Sequence, residues 1–421
     1  MTGAHSLDRL IGNEYPTFAS GADVRAFEQV PYADRIAAQS TYDAIKLGAA
    51  KHPDAPAIQF LPNADPADTP IVITHRDFVA RVTQAANMFH ALGDGGSEVV
   101  SFLLPLLPEA FMTLFGAEAA GIANPVNPLL EPDQIAEILE AANTTVLVAL
   151  GPVPGTDIWK KVEQVRGKLR HLKAIVQVHG PSDPTQKMYS FRDLIEEQPS
   201  DRLVSNRRIS GEQVAAYFHT GGTTGTPKLV CHTHANQVYQ AWACNLLLKS
   251  RPGSNLLFGM PLFHVGGSLT QALSNLVAGN CLVVLSPAGW RNPAAVKNIW
   301  GLVERFKPEM LASVPTVLAA TLAIPPGNAD LSSLRYAAGG GSAIPVAVGH
   351  AIEQKFKIPV VEVYGMTETS SVHTMAYPDR PIRLGSVGLP VPYSRVRVVK
   401  LDANNRVERE CGPDEIGVVL M

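Results

Sequence analysis

The residues best suited to chemistry lie between two β-prone runs, at 214–218 and 229–231: Thr220, Gly221, Gly222, Thr223, Thr224, Gly225, Thr226, Pro227 and Lys228. This loop has almost no side-chain bulk. Glycine reaches backbone angles that a Cβ forbids, so such a loop can turn its N–H groups towards an anion. The threonine hydroxyls add donors, and Lys228 supplies a point charge suited to the outer phosphates of a nucleotide. A plain surface hairpin would also use Gly and Thr as turn residues. The joint order of Thr, Gly, Thr, Pro and Lys favours phosphate binding. A Walker A loop is excluded, because that needs Gly-Lys-Ser/Thr opening a helix, whereas here Pro227 precedes Lys228 and Leu229 follows it.

Three further groups sit at the ends of apolar runs. The first is Glu362, Val363, Tyr364, Gly365, Met366, Thr367, Glu368 and Thr369. Its Glu368 offers the carboxylate oxygen that a hard cation takes while bridging phosphates and keeping most of its water. Read alone, the same residues serve equally well as a helix start, with Thr367 as N-cap and Glu368 beside the helix dipole. The second group is Gly339, Gly340, Gly341 and Ser342. Consecutive glycines strip one wall of side chains and let a flat base lie on the backbone, although a lone triple glycine reads more simply as a tight turn. The third is Pro261, Leu262, Phe263, His264, Val265, Gly266 and Gly267, where a lone histidine is ordinarily structural.

Taken jointly, the loop at 220–228 and the complete Tyr-Gly-x-Thr-Glu at 364–368 resemble two signatures of the acyl-adenylate-forming superfamily, in its acyl-CoA synthetase branch. The resemblance covers the chain from about residue 41 onward. It departs from the usual pattern at Gly221, where serine is common, and at Leu229, where glycine is common. It implies that ATP, Mg²⁺, a carboxylic acid and coenzyme A are bound. Thr220, Gly221, Gly222, Thr223, Thr224, Gly225, Thr226 and Lys228 would hold the β- and γ-phosphates, Thr367 the α-phosphate and Glu368 the metal. Gly340, Gly341 and Ser342 would line the adenine, with Tyr364 on its other side and Glu362, Val363, Gly365 and Met366 in the same nucleotide-binding segment. His264 would face the reacting carboxylate, with Val265, Gly266 and Gly339 around the substrate. Lys228, Thr367, Glu368 and His264 are the implied catalytic residues.

The implied reaction is attack of a carboxylate on the α-phosphate, loss of pyrophosphate, then thioester formation with coenzyme A. Amino-acid-activating members place an aspartate near His264 to pair the substrate ammonium, and a buried ammonium without that partner is costly. Neither His264 nor Val265 supplies one, so the expected acid lacks an α-amino group. Two other readings stay open: a non-catalytic module that binds nucleotide or acyl-adenylate, and an amino-acid adenylation domain. A phosphotransferase is disfavoured by the loop's lack of Walker geometry.

The elements that must position these residues follow from the hydrophobic pattern. In a chain of 421 residues, 46% of them hydrophobic, two to three domains with large cores are expected. Strand-like and helix-like runs alternate from about residue 98 to 178 and again from 214 to 363, the pattern of parallel sheets covered on both faces. The expected fold class is α/β: two doubly wound lobes plus a small β-rich element. The expected boundaries are an irregular N-terminal arm over 1–40, a first lobe over 41–180, a linker near 179–188, a second lobe carrying the ATP and acyl site over 190–384, and the β-rich element over 385–421. The turn at 385–390 leads into that element. The last apolar run breaks off at Met421 without a cap, which reads as a break within a longer protein. By the resemblance, a ribose-binding aspartate, a hinge and a lid domain bearing a catalytic lysine would lie beyond it.

The net charge of −3 gives no reason to expect nucleic acid or an anionic membrane as partner. Cys231, Cys244, Cys281 and Cys411 form no CxxC pair, so neither a zinc site nor a disulfide framework is expected. The first residues lack a basic segment followed by an apolar core, and no apolar run reaches spanning length. The expectation is a cytoplasmic protein, with a homodimer left open.

Overall fold

The computed structural model describes residues 15–93, 98–220 and 228–421. Its largest sheet has seven strands in the order Met188–Ser190, Ala174–Val178, Val146–Leu150, Val99–Leu103, Ile122–Pro125, Val214–Thr220, Lys228–Thr233. Val99–Leu103, Val146–Leu150 and Ala174–Val178 are buried at every position, as near-continuous apolar runs are when helices cover both faces of a parallel sheet. Every neighbouring pair is parallel except the last, the antiparallel hairpin that flanks residues 221–227.

A second sheet orders Asn255–Phe258, Cys281–Leu285, Pro56–Leu61 and Ile71–Thr74. A third orders Met310–Ser313, Tyr336–Gly339, Val360–Met366, Ser371–Met375 and Leu389–Pro390, its first three strands parallel and the rest antiparallel. The β-rich element is a three-stranded antiparallel sheet of Val407–Glu410, Arg397–Leu401 and Val418–Leu420. The α/β class with a small β-rich element is therefore what forms.

Sheet membership does not follow the expected boundary near 180–190. The hairpin expected to open the second lobe lies on the edge of the first sheet, where Ala216 pairs with Ala123. The hairpin of Pro56–Leu61 and Ile71–Thr74, expected in the first lobe, pairs instead with Cys281–Leu285. An apolar run encodes its own burial but not its neighbour, since parallel pairing is made through long crossovers. The stretch read as a linker contains a 3₁₀ turn, Pro184–Gln186, and runs into the edge strand Met188–Ser190.

Local signals hold where capping chemistry is explicit. Helix His75–Leu92 starts at Thr74, whose hydroxyl accepts from the Asp77 N–H at 3.1 Å, and Gly93 ends it. Pro108–Ala120 is buried at every position from Ala110 to its end. Gly116 lets the two helices meet, because a Cβ there would lie 2.7 Å from the Ala85 Cβ. The helical run after Asn292 is divided at Asn298 into Pro293–Lys297 and Ile299–Phe306. The N-terminal arm is less irregular than expected: among its described residues it forms Gly21–Phe27, and it packs through Phe18 on Tyr377 and through Phe27 on Trp242 and Tyr393. Among the described residues no helix is long and apolar enough to cross a membrane.

Candidate active site

Ligands of open α/β sheets collect beyond the carboxyl ends of the strands. Here the ends of Met310–Ser313, Tyr336–Gly339 and Val360–Met366 stand in register, Ser313 opposite Gly339 and Gly339 opposite Glu362. They border a cavity of about 760 Å³.

One wall is almost bare backbone. A Cβ on Gly340 would lie 2.4 Å from Val363 Cγ2 and 2.8 Å from the Val363 carbonyl oxygen, so a larger residue would not fit there, whereas one on Gly339 would first meet the terminal methyls of Ile344 and Leu318. Gly341 has φ +82° with open space before it, a conformation L side chains rarely adopt. Ser342 continues this wall.

The adjoining turn departs from the helix start considered above. Thr367–Thr369 is a single 3₁₀ turn, and the Met366 N–H donates to Thr369 Oγ1 at 3.1 Å, so Thr367 is not an N-cap. The chain then reverses through Ser370 and Ser371, both at positive φ (58° and 103°), into Ser371–Met375. Two successive non-glycine residues in this region are a backbone strain that only the surroundings can hold. Gly365 makes the reversal possible, since a Cβ there would sit 1.6 Å from the Ser371 carbonyl oxygen. Two side-chain bonds pin the turn. His232 Nε2 donates to the Thr367 carbonyl at 2.7 Å, and Thr270 Oγ1 and Ser371 Oγ are 2.6 Å apart. Burial lowers the His232 pKa, against smaller opposing effects of the Thr367 carbonyl and Glu368, and so keeps the ring neutral.

The phosphate-loop residues Gly221, Gly222, Thr223, Thr224, Gly225, Thr226 and Pro227 lie outside the described residues. The two ends of the loop are described: Thr220 pairs with Lys228 across the hairpin.

On the opposite side, the His264 carbonyl accepts from the Gly267 and Ser268 N–H groups, and a π-helix, Gly266–Leu273, follows. π-Helices concentrate at functional sites. A Cβ on Gly267 would lie 2.2 Å from the Pro261 carbonyl oxygen, which accounts for that glycine. His264 Nδ1 accepts from the Gly266 N–H at 3.1 Å, leaving its proton on Nε2. The ring has solvent access yet sits within the concave mouth, where the surrounding protein lowers its pKa. Next to it, His219 stacks on Phe263 and accepts from the Asn127 N–H at 3.2 Å. Burial, assisted by His264, pushes the His219 pKa down to about 4.

Of the residues singled out in the sequence, Thr220, His264, Val265 and Gly266 line this cavity, as do Gly339, Gly340, Gly341 and Ser342, and Val363, Gly365, Met366, Thr367 and Glu368. Three do not. Lys228 is exposed at the hairpin's end, and Tyr364 is exposed beside the lining. Glu362 is buried, with Oε1 accepting from the Ile344 N–H at 3.0 Å, so this oxygen braces the glycine turn instead of facing the cavity. His219, His232, Thr270 and Ser371 were not singled out. The only local signal was a histidine directly after each β-prone run, His219 and His232; Thr270 and Ser371 give none, because they meet across about a hundred residues.

Among the described residues no three His, Cys, Asp or Glu side chains cluster as a metal cage. A lone carboxylate at Glu368 fits Mg²⁺, which is commonly held by one or two carboxylates together with substrate phosphates and water.

A profile of the AMP-binding enzyme family matches residues 46–421. Marinolic acid–CoA ligase of Pseudoalteromonas sp. (strain SANK 73390) is 35% identical over 407 residues, which is 95% of this chain and 62% of that protein. 3-Hydroxybenzoate–CoA/4-hydroxybenzoate–CoA ligase of Thauera aromatica is 25% identical over 351 residues, 83% of this chain and 64% of that protein. The chain thus spans less than two thirds of the length of these relatives. In fold it is similar to the anthranilate CoA ligase AuaEII in complex with anthranoyl-AMP (TM-score 0.77, 24% identity, 92% of this chain and 69% of that one). It is also similar to the N-terminal domain of FACL13 from Mycobacterium tuberculosis (TM-score 0.74, 20% identity, 88% and 86%). With its signature residues gathered on one cavity and its profile match running from residue 46 to the last residue, this chain belongs to the AMP-binding enzyme family.

Proposed function

We propose that the chain carries the adenylation site of an acid–coenzyme A ligase acting on a carboxylic acid without an α-amino group. The observation that carries this reading is the convergence of Thr220, the bare wall 339–342, Thr367, Glu368 and His264 on one cavity.

In the first step a carboxylate oxygen attacks the α-phosphorus of ATP and the bond to pyrophosphate breaks. In the second the thiol of coenzyme A attacks the acyl carbon and AMP leaves. The chain contributes positioning and charge stabilisation rather than a covalent group. Gly340, Gly341 and Ser342 receive the adenine, and Thr220 with the loop and Lys228 holds the departing pyrophosphate. Thr367 donates to the α-phosphate from a turn that His232 and Ser371 keep in place. Mg²⁺ held at Glu368 would neutralise phosphate charge. Neutral His264 borders the acyl carboxylate as a hydrogen-bond donor through Nε2. An amino acid would bring an ammonium group beside a side chain kept uncharged, which supports the choice of acid class. The four cysteines, none in a disulfide among the described residues, fit a reducing, cytoplasmic setting.

Acid-dependent pyrophosphate exchange, screened over a panel of carboxylic acids with AMP as the second product, tests this reading. Exchange with some acid that is lost in Glu368→Gln is the expected result. Release of ADP, or nucleotide binding with no exchange for any acid, would refute it.

A further inference from the structure

The floor of the acyl side is one face of two paired strands. Met310–Ser313 and Tyr336–Gly339 run parallel, with Met310 beside Tyr336, Ala312 beside Ala338 and Ser313 beside Gly339. Side chains alternate across a sheet, so Met310 and Ala312 share one face and Leu311 takes the other. Accordingly Met310, Ala312 and Ala338 line the cavity, whereas Leu311 and Ala337 belong to the separate core behind the sheet. Ala312 and Ala338 keep 6% and 8% of their surface accessible, and that surface is turned to the cavity they line.

Along this face the side chains shrink from one end of the strands to the other. Met310 and Tyr336 stand at the amino end and Ala312 and Ala338 come next; Gly340 follows on the bare wall just past the strand. The roof is the π-helix after His264. Its Gln271 amide nitrogen lies 3.5 Å from the Ala312 carbonyl, and its half-buried Thr270, also on the lining, bonds Ser371. Leu248, the last residue of helix His234–Leu248, closes the far end: it lines the cavity, and its carbonyl accepts from the hydroxyl of Tyr336, the neighbour of Met310. Among the described residues the charged side chains of the lining, Arg291 and Glu368, stand on other connections. The result is an apolar trough that runs back along the strands from the bare wall. The residue steps from Ser313 to Met310 give it a length of about 10 Å, at about 3.3 Å each.

Resting on the adenylation reading above, we infer that the acid is an extended acyl chain of about eight carbons, laid from His264 over Ala312 and Ala338 and ended by Met310 and Leu248. An extended alkyl chain with bonds of about 1.5 Å advances roughly 1.25 Å per carbon, so about eight carbons fill the trough. Shorter acids and single-ring aryl acids would leave its amino end unfilled and the lining atoms there without partners.

Isothermal titration of the 421-residue chain with non-hydrolysable acyl-sulfamoyladenosines reads the length directly. The probes are the straight-chain series from acetyl to dodecanoyl, with benzoyl beside it. Each added CH₂ up to octanoyl should tighten binding by about fourfold, the worth of one buried methylene, and the gain should stop there. Met310→Ala should move that stop outward by about three carbons, the heavy atoms it removes from the closed end. Ala312→Leu, which fills the trough midway, should cut the octanoyl-to-acetyl affinity ratio by about tenfold or more. A merely structural role would leave that ratio unmoved, because both probes meet the same protein. Affinity that stays flat from acetyl to octanoyl, goes on rising through dodecanoyl, or peaks at benzoyl would overturn the inference and leave the adenylation reading standing. Binding of none of the probes would overturn both. The series on the unmodified chain decides the matter even where a variant fails to fold.

Discussion

The two halves of the cavity are built from different materials. The nucleotide side is backbone, glycine and small hydroxyl residues: the wall 339–342, the turn Thr367–Thr369 and the end of the strand at Thr220. The acyl side is bulky side chains from several connections, Leu106, Leu248, Met260, Met310 and Val317 among them. A surface made of backbone admits few residue types, because a Cβ on Gly340 would collide with Val363 and one on Gly365 with the Ser371 carbonyl. A surface made of side chains admits many, so the first is where chemistry is held constant and the second is where selectivity can vary.

If that contrast is right, the largest effects belong to the nucleotide side. Glu368→Gln should lower acid-dependent pyrophosphate exchange by about 10³-fold for every acid alike, the scale of losing one charge-stabilising group, with the melting temperature unchanged. An effect confined to some acids would move Glu368 to the wrong side of the comparison. Gly365→Ala should cost roughly 3 kcal/mol or more in chemical denaturation, because the strand and its return cannot part to admit a methyl group. Its wild-type stability would show that the close approach of Ser371 is dispensable.

A smaller effect is expected at His232, which touches Thr367 and not the reacting atoms. His232→Leu should reduce kcat/KM for ATP by about tenfold, the worth of one buried hydrogen bond, while leaving the ranking of acids intact. His232→Gln, which can still donate, should recover part of the loss. A change in acid ranking would mean that the turn serves both halves.

The smallest effect is on stability against pH. His75, His219 and His234 are each pushed down to about 4 by burial, whereas burial pushes Glu118 up to about 8. With ordinary unfolded values near 6.5 and 4.3, unfolding between about pH 4.5 and 6.5 takes up three protons at the histidines and releases one at the carboxyl group. Stability from these groups therefore rises with pH through that window. Above it only Glu118 contributes, and stability declines towards pH 8. Denaturation midpoints that fell steadily from pH 5 to 6.5 would contradict these assignments.

The same contrast explains what could be read in the sequence. The strands 281–285, 310–313 and 174–178 were legible as apolar runs, and the turns at 339–342 and 364–368 as motifs, because backbone geometry demands particular residues in a particular order. What stayed hidden depends on distant neighbours. The placement of Val214–Thr220 beside Ile122–Pro125, the π-helix after His264, and the strained return at Ser370 and Ser371 are all set by packing between segments. Glu362 shows the reverse limit: inside a recognisable motif, its carboxylate is used to hold Ile344.

The most direct test of the central claim is a crystal structure of the chain with a bound acyl-sulfamoyladenosine. The account predicts the adenine against Gly340 and Gly341, the sulfamoyl group at Thr367 and the acyl chain running past His264 towards Met310 and Gln271. An adenosine held away from the 339–342 wall, or an acyl chain leaving the cavity without passing His264, would contradict it.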